Sequence, residues 1–311
     1  MLEIASHMMS EWDWPYRQVT IDLKSQGDEL GAFRLFGANN PDSIQQVFDR
    51  KVDISILNPG VILSMAHRGI GLYSEPMQVA LIAVMPHHDQ LAFAVSASTG
   101  LRSLDEIREK RFPLRLSVRG SQDQCTTLLV DKLLNVHGFG YEDIVRWGGS
   151  VSYDQPMPHQ TPPNRPSRID RVRNGELDAI FEEGVVVWAN QALAGGMRFL
   201  EIEEPRLVEL EHVGFKRGTL EKSRYGSLPA DVNVVDFSGW PIYTRADASD
   251  LLVRKFCEAM EARKAALPWN FGPLQQDPMP LSKMVIDSPA TPIDLPFHPA
   301  AHKFWVQMGY L

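Results

Sequence analysis

Two short stretches of the chain put charged side chains beside glycine, where a backbone can come close to a ligand. Arg119-Gly120-Ser121 follows the apolar run Leu114 to Val118 and precedes a helical pattern from about Gln122 to Val136. A guanidinium offers a forked pair of donors to a carboxylate. The free N–H groups at a helix start favour an anion. Arg119, Gly120 and Ser121 are therefore expected to contact an anion; the plain alternative is a surface arginine beside an ordinary N-cap. Glu182-Glu183-Gly184 follows a strand pattern, Asp178 to Phe181. A carboxylate there could receive a ligand amine or act as a general acid or base. Side chains alternate along a strand, so at most one of the two acids should face a site. A solvated charge pair is the alternative.

Polar and aromatic residues at other strand ends complete the set. Ala38-Asn39-Asn40 leads into Asp42-Ser43. Asparagine both donates and accepts, which suits an oriented ligand, while Asp42 or Ser43 could simply cap a helix. Asn58-Pro59-Gly60 ends another strand pattern, and ligands in open α/β sheets bind beyond the carboxyl ends of strands. His7 could serve as a polar contact or an acid–base group, or as a hydrogen-bonded structural residue. Trp12, Trp14 and Trp240 offer aromatic faces to a planar ligand, or core packing. His87-His88-Asp89 looks like a metal cluster but lies in a turn between two apolar runs, and no metal is expected there. No nucleophile elbow, P-loop or HExxH motif is present.

The elements that must hold these residues alternate along the chain. Strand patterns are Leu2 to Ala5, Ala32 to Phe36, Asp53 to Leu57, Val79 to Met85, Leu91 to Val95, Leu114 to Val118, Asp178 to Phe181, Met197 to Ile202 and Phe237 to Thr244. Helices are expected at Trp14 to Lys24, after Asp42, at Val61 to His67, after the capping box Ser103–Glu106, at Gln122 to Val136 closed by Gly138 and Gly140, at Ser167 to Asn174, Val185 to Leu193, Glu204 to Val213 and Ala248 to Ala266, and over the last run, Ala300 to Met308. Leu251, Leu252, Phe256, Ala259 and Met260 mark the buried side of the 248–266 helix. Alternation of this kind points to an α/β fold with a mainly parallel sheet. Residues 152–168 carry five prolines and read as an exposed loop.

Composition excludes several classes. The chain has 311 residues, net charge −8, 44% hydrophobic and 23% charged residues. That is an ordinary globular balance, long enough for about two domains. The acidic balance, with no basic run, argues against nucleic acid as a partner. No stretch reaches the roughly 18 apolar residues of a membrane span, and the first residues show no signal peptide. The expected location is therefore cytoplasmic as written, and periplasmic if a leader was removed. Cys125 and Cys257 form no metal or redox spacing and read as core thiols.

The order of several segments carries a resemblance. They are Gly37-Ala-Asn-Asn-Pro-Asp-Ser43, Lys51-Val-Asp-Ile-Ser-Ile-Leu-Asn58, Leu101-Arg-Ser-Leu-Asp-Glu-Ile-Arg108 before Arg119-Gly-Ser121, Leu133-Leu-Asn-Val-His-Gly138, Asn174-Gly-Glu-Leu-Asp-Ala179 and Leu295-Pro-Phe-His-Pro299. Together they resemble the TAXI family of solute-binding proteins from TRAP-type transporters, and more broadly the type II periplasmic binding proteins. The resemblance implies two α/β lobes joined by hinge strands, with the ligand in an interlobe cleft that closes on it. The lobes would be residues 1–92 with 236–311, and 93–235. It departs from the family at His7-Met-Met-Ser-Glu-Trp-Asp-Trp14, where bulky side chains replace a small-residue turn. That favours a ligand with an aromatic part.

Two functions follow as expectations. One is a solute-binding protein for a small organic anion, such as an aromatic carboxylate. It would be held by Arg119, Gly120, Ser121, Asn39, Asn58 and Glu183 against Trp12, Trp14 and Trp240, with no cofactor and with a membrane permease as partner. The other is a cytoplasmic enzyme on the same scaffold, an aromatic-acid decarboxylase using His7 and Glu182.

Overall fold

The computed structural model describes residues 19–24, 31–38, 41–120, 122, 124–154, 166–266, 268–270, 276–278 and 280–311. The chain runs through β1 (Val19–Lys24), β2 (Ala32–Ala38), α1 (Asp42–Phe48), β3 (Ile54–Leu57), α2 (Val61–Arg68), β4 (Val79–Met85) and β5 (Gln90–Ser96). It continues with α3 (Leu104–Glu109), β6 (Arg115–Arg119), α4 (Cys125–Val136), α5 (Tyr141–Arg146), β7 (Ser150–Asp154), α6 (Arg168–Arg173), β8 (Ala179–Glu182) and α7 (Val185–Ala194). Then come β9 (Met197–Phe199), α8 (Glu204–His212), β10 (Arg217–Leu220), β11 (Val232–Asp236), β12 (Trp240–Arg245) and α9 (Asp250–Arg263). The hairpin β13 (Pro268–Asn270) and β14 (Gln276–Pro278) is followed by α10 (Leu281–Met284) and α11 (Pro299–Gln307). The described residues form two compact units. Asp89–Phe237 make one; those up to His88 make the other with Ser238–Leu311.

The unit ending at Leu311 is built on a five-stranded sheet, β1-β2-β3-β12-β4. Only β2 and β3 run parallel; the other neighbours are antiparallel. Helices α9 and α11 pack on it through Val253, Cys257, Met260, Phe304 and Trp305, against Ile54 and Ile82. The indole N–H of Trp305 donates to the Ile82 carbonyl at 2.8 Å, which satisfies the polar atom of a fully buried ring. Helix α9 starts where the Ser249 hydroxyl accepts from the Leu252 N–H. Its buried stripe runs through Leu252, Val253, Cys257 and Met260, one step round from the expected side, so Ala259 faces outward.

The second unit carries the order β10-β11-β5-β8-β6-β7, with β9 also paired to β5. Strand β6 is parallel to β7 and β8, while β5 is antiparallel to β8, β9 and β11. Ile180, Val185, Trp188, Phe199, Tyr225 and Val234 are among its buried core. Both cysteines are buried, Cys125 in this unit and Cys257 in the other.

Several expectations need correction. The sheets are mixed rather than mainly parallel, because β5 and β12 each run against their neighbours. Residues 19–24, expected in a helix, form β1 with six residues paired to β2; Thr20-Ile-Asp-Leu-Lys24 alternates with period 2, which suits a strand. Phe237 to Thr244 is not one strand: β11 ends at Asp236, and Gly239 at φ +77° separates it from β12. Helix α4 begins at Cys125, not Gln122. Gly138 closes it in the left-handed region, but Gly140 instead opens α5. The stretch 152–168 is not all loop, since 152–154 belong to β7 and Arg168 starts α6 in the interior. The N-cap of α1 is Pro41 rather than Asp42 or Ser43, which lie within the helix; Ser43 is buried, with its hydroxyl 3.3 Å from that of Tyr243. Ser103 does cap α3, but Glu106 reaches back to the Arg102 N–H instead of the N-cap residue.

Candidate functional site

Three strand ends of the Asp89–Phe237 unit meet at one edge of its sheet. The register of β6 on β8 sets Val118 opposite Phe181, so Arg119 and Glu182 leave the sheet together. Strand β5 runs the other way, with Ala92 opposite Glu182, so Asp89 lies beyond the same edge. Glu182 and Glu183 are both almost fully buried, at 0% and 2% exposure. The alternative of a solvated charge pair therefore does not hold. Nor do the two acids diverge: Arg119 donates to Glu183 and lies 3.6 Å from Glu182. Alternation holds only along extended backbone. Here β8 stops at Glu182, and Gly184 at φ +65° turns the chain into α7, so Glu183 lies in the turn. Its N–H donates back to Glu182 Oε1 at 3.1 Å, and its carbonyl accepts from the Trp188 indole at 2.9 Å.

Two residues that sequence reasoning missed complete this cluster. Arg168, at the start of α6, is 5% exposed. Its Nη1 donates to Glu182 Oε2, its Nε to the Ser117 hydroxyl at 2.8 Å and its Nη2 to the Ser117 carbonyl at 2.9 Å. Ser117 in turn donates to Asp154, which also receives Ser152 at 2.7 Å and Arg171 at 2.8 Å. Asp89 is the second. Its carboxylate accepts from the N–H groups of Gln90 at 2.8 Å, Gly184 at 2.9 Å and Val185 at 3.2 Å. It thus caps α7, whose own N-cap residue, Gly184, has no side chain to do so. That bare glycine before an apolar helix was the available signal. Among the described residues no group of three or more His, Cys, Asp and Glu could hold a metal ion.

Burial sets the electrostatics. It pushes Glu182 above the ordinary carboxylate value, against the pull of Arg168 and Arg119. Burial and the charge of Glu183 push Asp89 well above its ordinary value, against three backbone donors. Asp154 goes the other way: burial is outweighed by the Ser117 and Ser152 hydroxyls and by Arg171 and Arg168. Arg119 is held above its ordinary value. Burial works against its charge, but Glu183, Glu182 and Asp89 outweigh that. Among the described residues its Nε is buried without a hydrogen-bond partner.

Gly120 follows Arg119 at φ +76°, and its N–H donates to the Asp154 carbonyl at 2.7 Å. The Gln124 amide fills the space where a Cβ would stand. Gly120 therefore comes close to its surroundings as expected of a glycine, but α4 opens five residues after it rather than at once. Ser121 lies outside the described residues, as do His7, Trp12, Trp14, Asn39 and Asn40.

Asn58 and Trp240 belong to the other unit, at one end of its sheet. Asn58 follows β3, is 8% exposed and precedes a cis bond to Pro59. Strand β12 pairs antiparallel with β3, Ile242 opposite Ile56, which brings Trp240 level with Asn58. The Trp240 ring stands 5.3 Å from that of His87, tilted by 42°. Among the described residues its indole N–H is buried without a partner.

No family model and no curated protein matches the sequence. Solved structures with a similar chain course include the alkanesulfonate-binding protein SsuA from Xanthomonas axonopodis pv. citri, bound to MOPS. It is 13% identical over 73% of this chain and 61% of its own, with a TM-score of 0.36. PhnD1 from Prochlorococcus marinus, in complex with methylphosphonate, is 11% identical over 88% of this chain and 84% of its own, with a TM-score of 0.39. The periplasmic aliphatic sulphonate binding protein SsuA from Escherichia coli is 11% identical over 72% and 56%, with a TM-score of 0.34. The chain thus spans less than two thirds of the length of either SsuA. The class that the fold defines is mixed α/β, two sheets covered by helices. No helix among the described residues is long and apolar enough to cross a membrane.

Proposed function

We propose that the protein is a solute-binding protein for a small organic anion, with Arg119 as the charged anchor. The observation that carries this reading is the guanidinium itself. It ends a central strand, is 15% exposed, and keeps a buried Nε without a hydrogen-bond partner among the described residues. Glu183 is then the resident counter-ion, which an arriving carboxylate must share or displace. Asn58 and Trp240, at one sheet end of their own unit, are kept as candidate polar and aromatic ligand contacts there. The resemblance to the TAXI family supports the same reading, with a membrane permease as partner and a periplasmic working place. An aromatic carboxylate is the ligand class that the tryptophans favour.

The decarboxylase alternative is weaker on the geometry. Glu182 Oε2 accepts from Arg168 and Oε1 from the Glu183 N–H, at 0% exposure. A general acid must come within hydrogen-bond reach of the carbon it protonates, and Glu182 would have to leave Arg168 to do so.

A thermal-shift screen of carboxylates, sulfonates and phosphonates, with product analysis of each hit, tests the proposal. A ligand at about 100 times its Kd adds roughly 2.7 kcal/mol of stability. A hit recovered unchanged, and lost in Arg119→Gln, supports binding. Release of carbon dioxide overturns it in favour of the enzyme. A hit that Arg119→Gln binds as well as wild type removes Arg119 from the site.

A further inference from the structure

Arg119 faces two buried carboxylates, and one of them, Glu182, has a second guanidinium beside it, that of Arg168. Glu182 lies 3.6 Å from Arg119, close enough to take it as a partner, yet its hydrogen bond goes to Arg168. Arg168 reaches that position from a helix that follows the proline-rich stretch. It is fixed at two further points, the hydroxyl and the carbonyl of Ser117, so its fork is held against β6 two residues before Arg119. Asp154 anchors the Ser117 hydroxyl, and Arg171 balances Asp154. A planar guanidinium with three directed donors can bridge a strand backbone, a hydroxyl and a carboxylate at once; an ammonium on a flexible stem cannot hold all three.

We infer that Arg168 is a positioning residue that holds Glu182 off Arg119 and so keeps part of the Arg119 guanidinium open to a ligand anion. The inference rests on the anion-binding reading for its consequence, but not for its geometry. Without Arg168, Glu182 has Arg119 as its nearest described cation. Glu182 could then close from 3.6 Å to hydrogen-bond distance of Arg119 beside Glu183, and an incoming anion would compete with two hydrogen-bonded carboxylates instead of one. Arg168 touches no ligand in this account; it acts through Glu182.

The test compares wild type, Arg168→Gln, and Arg168→Gln with Glu182→Gln, each below its melting transition. Two readouts are used: calorimetric titration with sodium benzoate, and the Nε–H resonance of Arg119 by NMR without ligand. Arg168→Gln should weaken benzoate at least tenfold and move the Arg119 resonance. The double variant, which leaves no carboxylate at 182, should bind within about threefold of wild type and return the resonance. A loss of packing alone would not be undone by removing the charge at 182. Unchanged binding in Arg168→Gln, or a double variant as weak as the single, overturns the inference. Where Arg168→Gln does not fold, the double variant decides alone: wild-type affinity supports the inference and loss of binding overturns it. Failure of the wild type to bind benzoate overturns the aromatic-anion reading instead. The resonance then decides for Arg168, and a shift that is absent, or not reversed in the double variant, overturns its role.

Discussion

Arg168 and Glu182, fourteen residues apart in the chain, form an ion pair with side chains only 5% and 1% exposed. A pair so enclosed is a poor stabiliser in itself, because each ion loses its water. Its value lies in arrangement. Glu182 is also 3.6 Å from Arg119, and Arg119 is paired with Glu183. The charges therefore run in series, and a change at one member is felt at the others.

Arg119→Gln should therefore do two separable things. It should weaken binding of an anionic ligand at least tenfold. It should also destabilise the protein, since removing one partner of a buried pair costs about 3–5 kcal/mol. Adding Glu183→Gln should restore most of the stability and none of the affinity. Urea denaturation and calorimetric titration of the three proteins read the two effects. If Arg119→Gln melts like the wild type, Glu183 does not depend on this arginine.

The acids of the cluster give a pH dependence of defined sign. Asp89 and Glu182 are raised in the folded protein from ordinary values of 3.8 and 4.5. The folded state then holds more protons than the unfolded state above those values. Their contribution to stability falls as pH rises from about 4 through the raised values. Asp89→Asn should flatten that decline, compared with wild type by urea denaturation at intervals of pH. An identical slope in both proteins would show that Asp89 is ionised in the fold throughout the range.

How much of this was legible in the sequence depends on distance along the chain. The apolar runs of β3, β4, β5, β6 and β8 announce themselves, because a buried strand needs only its own side chains. Arg119 and the two glutamates stood out for the same reason, beside glycines at strand ends. Their partners did not. Arg168 meets Ser117 fifty-one positions away, and Asp89 caps a helix ninety-five positions on. Gly184 shows that α7 needs a cap from elsewhere, but no neighbouring residue names the partner in either case, and strand order brings them together. The error over β1 was of another kind: six residues with a two-residue period were absorbed into a longer helical window.

A second titrating cluster lies away from the candidate site. His137, at the end of α4, is 2% exposed, with Nδ1 3.1 Å from Asp105, which also meets Arg206 at 3.3 Å. Burial holds the imidazole below its ordinary 6.5, against the pull of Asp105. A base with a lowered value binds fewer protons folded than unfolded, so stability is lost as pH falls below 6.5. His137→Gln should remove that loss between pH 6.5 and about 4. Asp105 itself is held below 3.8; burial opposes this, but His137 and Arg206 prevail, so its own contribution disappears only at lower pH. A wild-type slope in His137→Gln would assign the effect elsewhere.

Gly60 tests the turn that brings Asn58 and Trp240 to one sheet end. Its backbone is helical, φ −62° and ψ −26°, so alanine meets no conformational strain there. Gly60 is the N-cap, where alanine is somewhat poorer than glycine, a small added cost. Space decides the outcome. A Cβ would stand 2.9 Å from the Gly239 carbonyl oxygen and 2.9 Å from Pro241 Cδ, a backbone atom and a ring that cannot swing aside. Both flank Trp240, so relief of the clash must move the entry to β12. Gly60→Ala should destabilise by about 1–3 kcal/mol, the usual result of overpacking. Gly226→Ala is the control, because nothing lies within 4 Å of its added Cβ and its φ is not positive. It should be neutral or stabilise by up to about 1 kcal/mol through the unfolded chain. Equal melting of the two variants would mean that the 58–60 turn does not bear on β12, and that Asn58 and Trp240 are positioned independently.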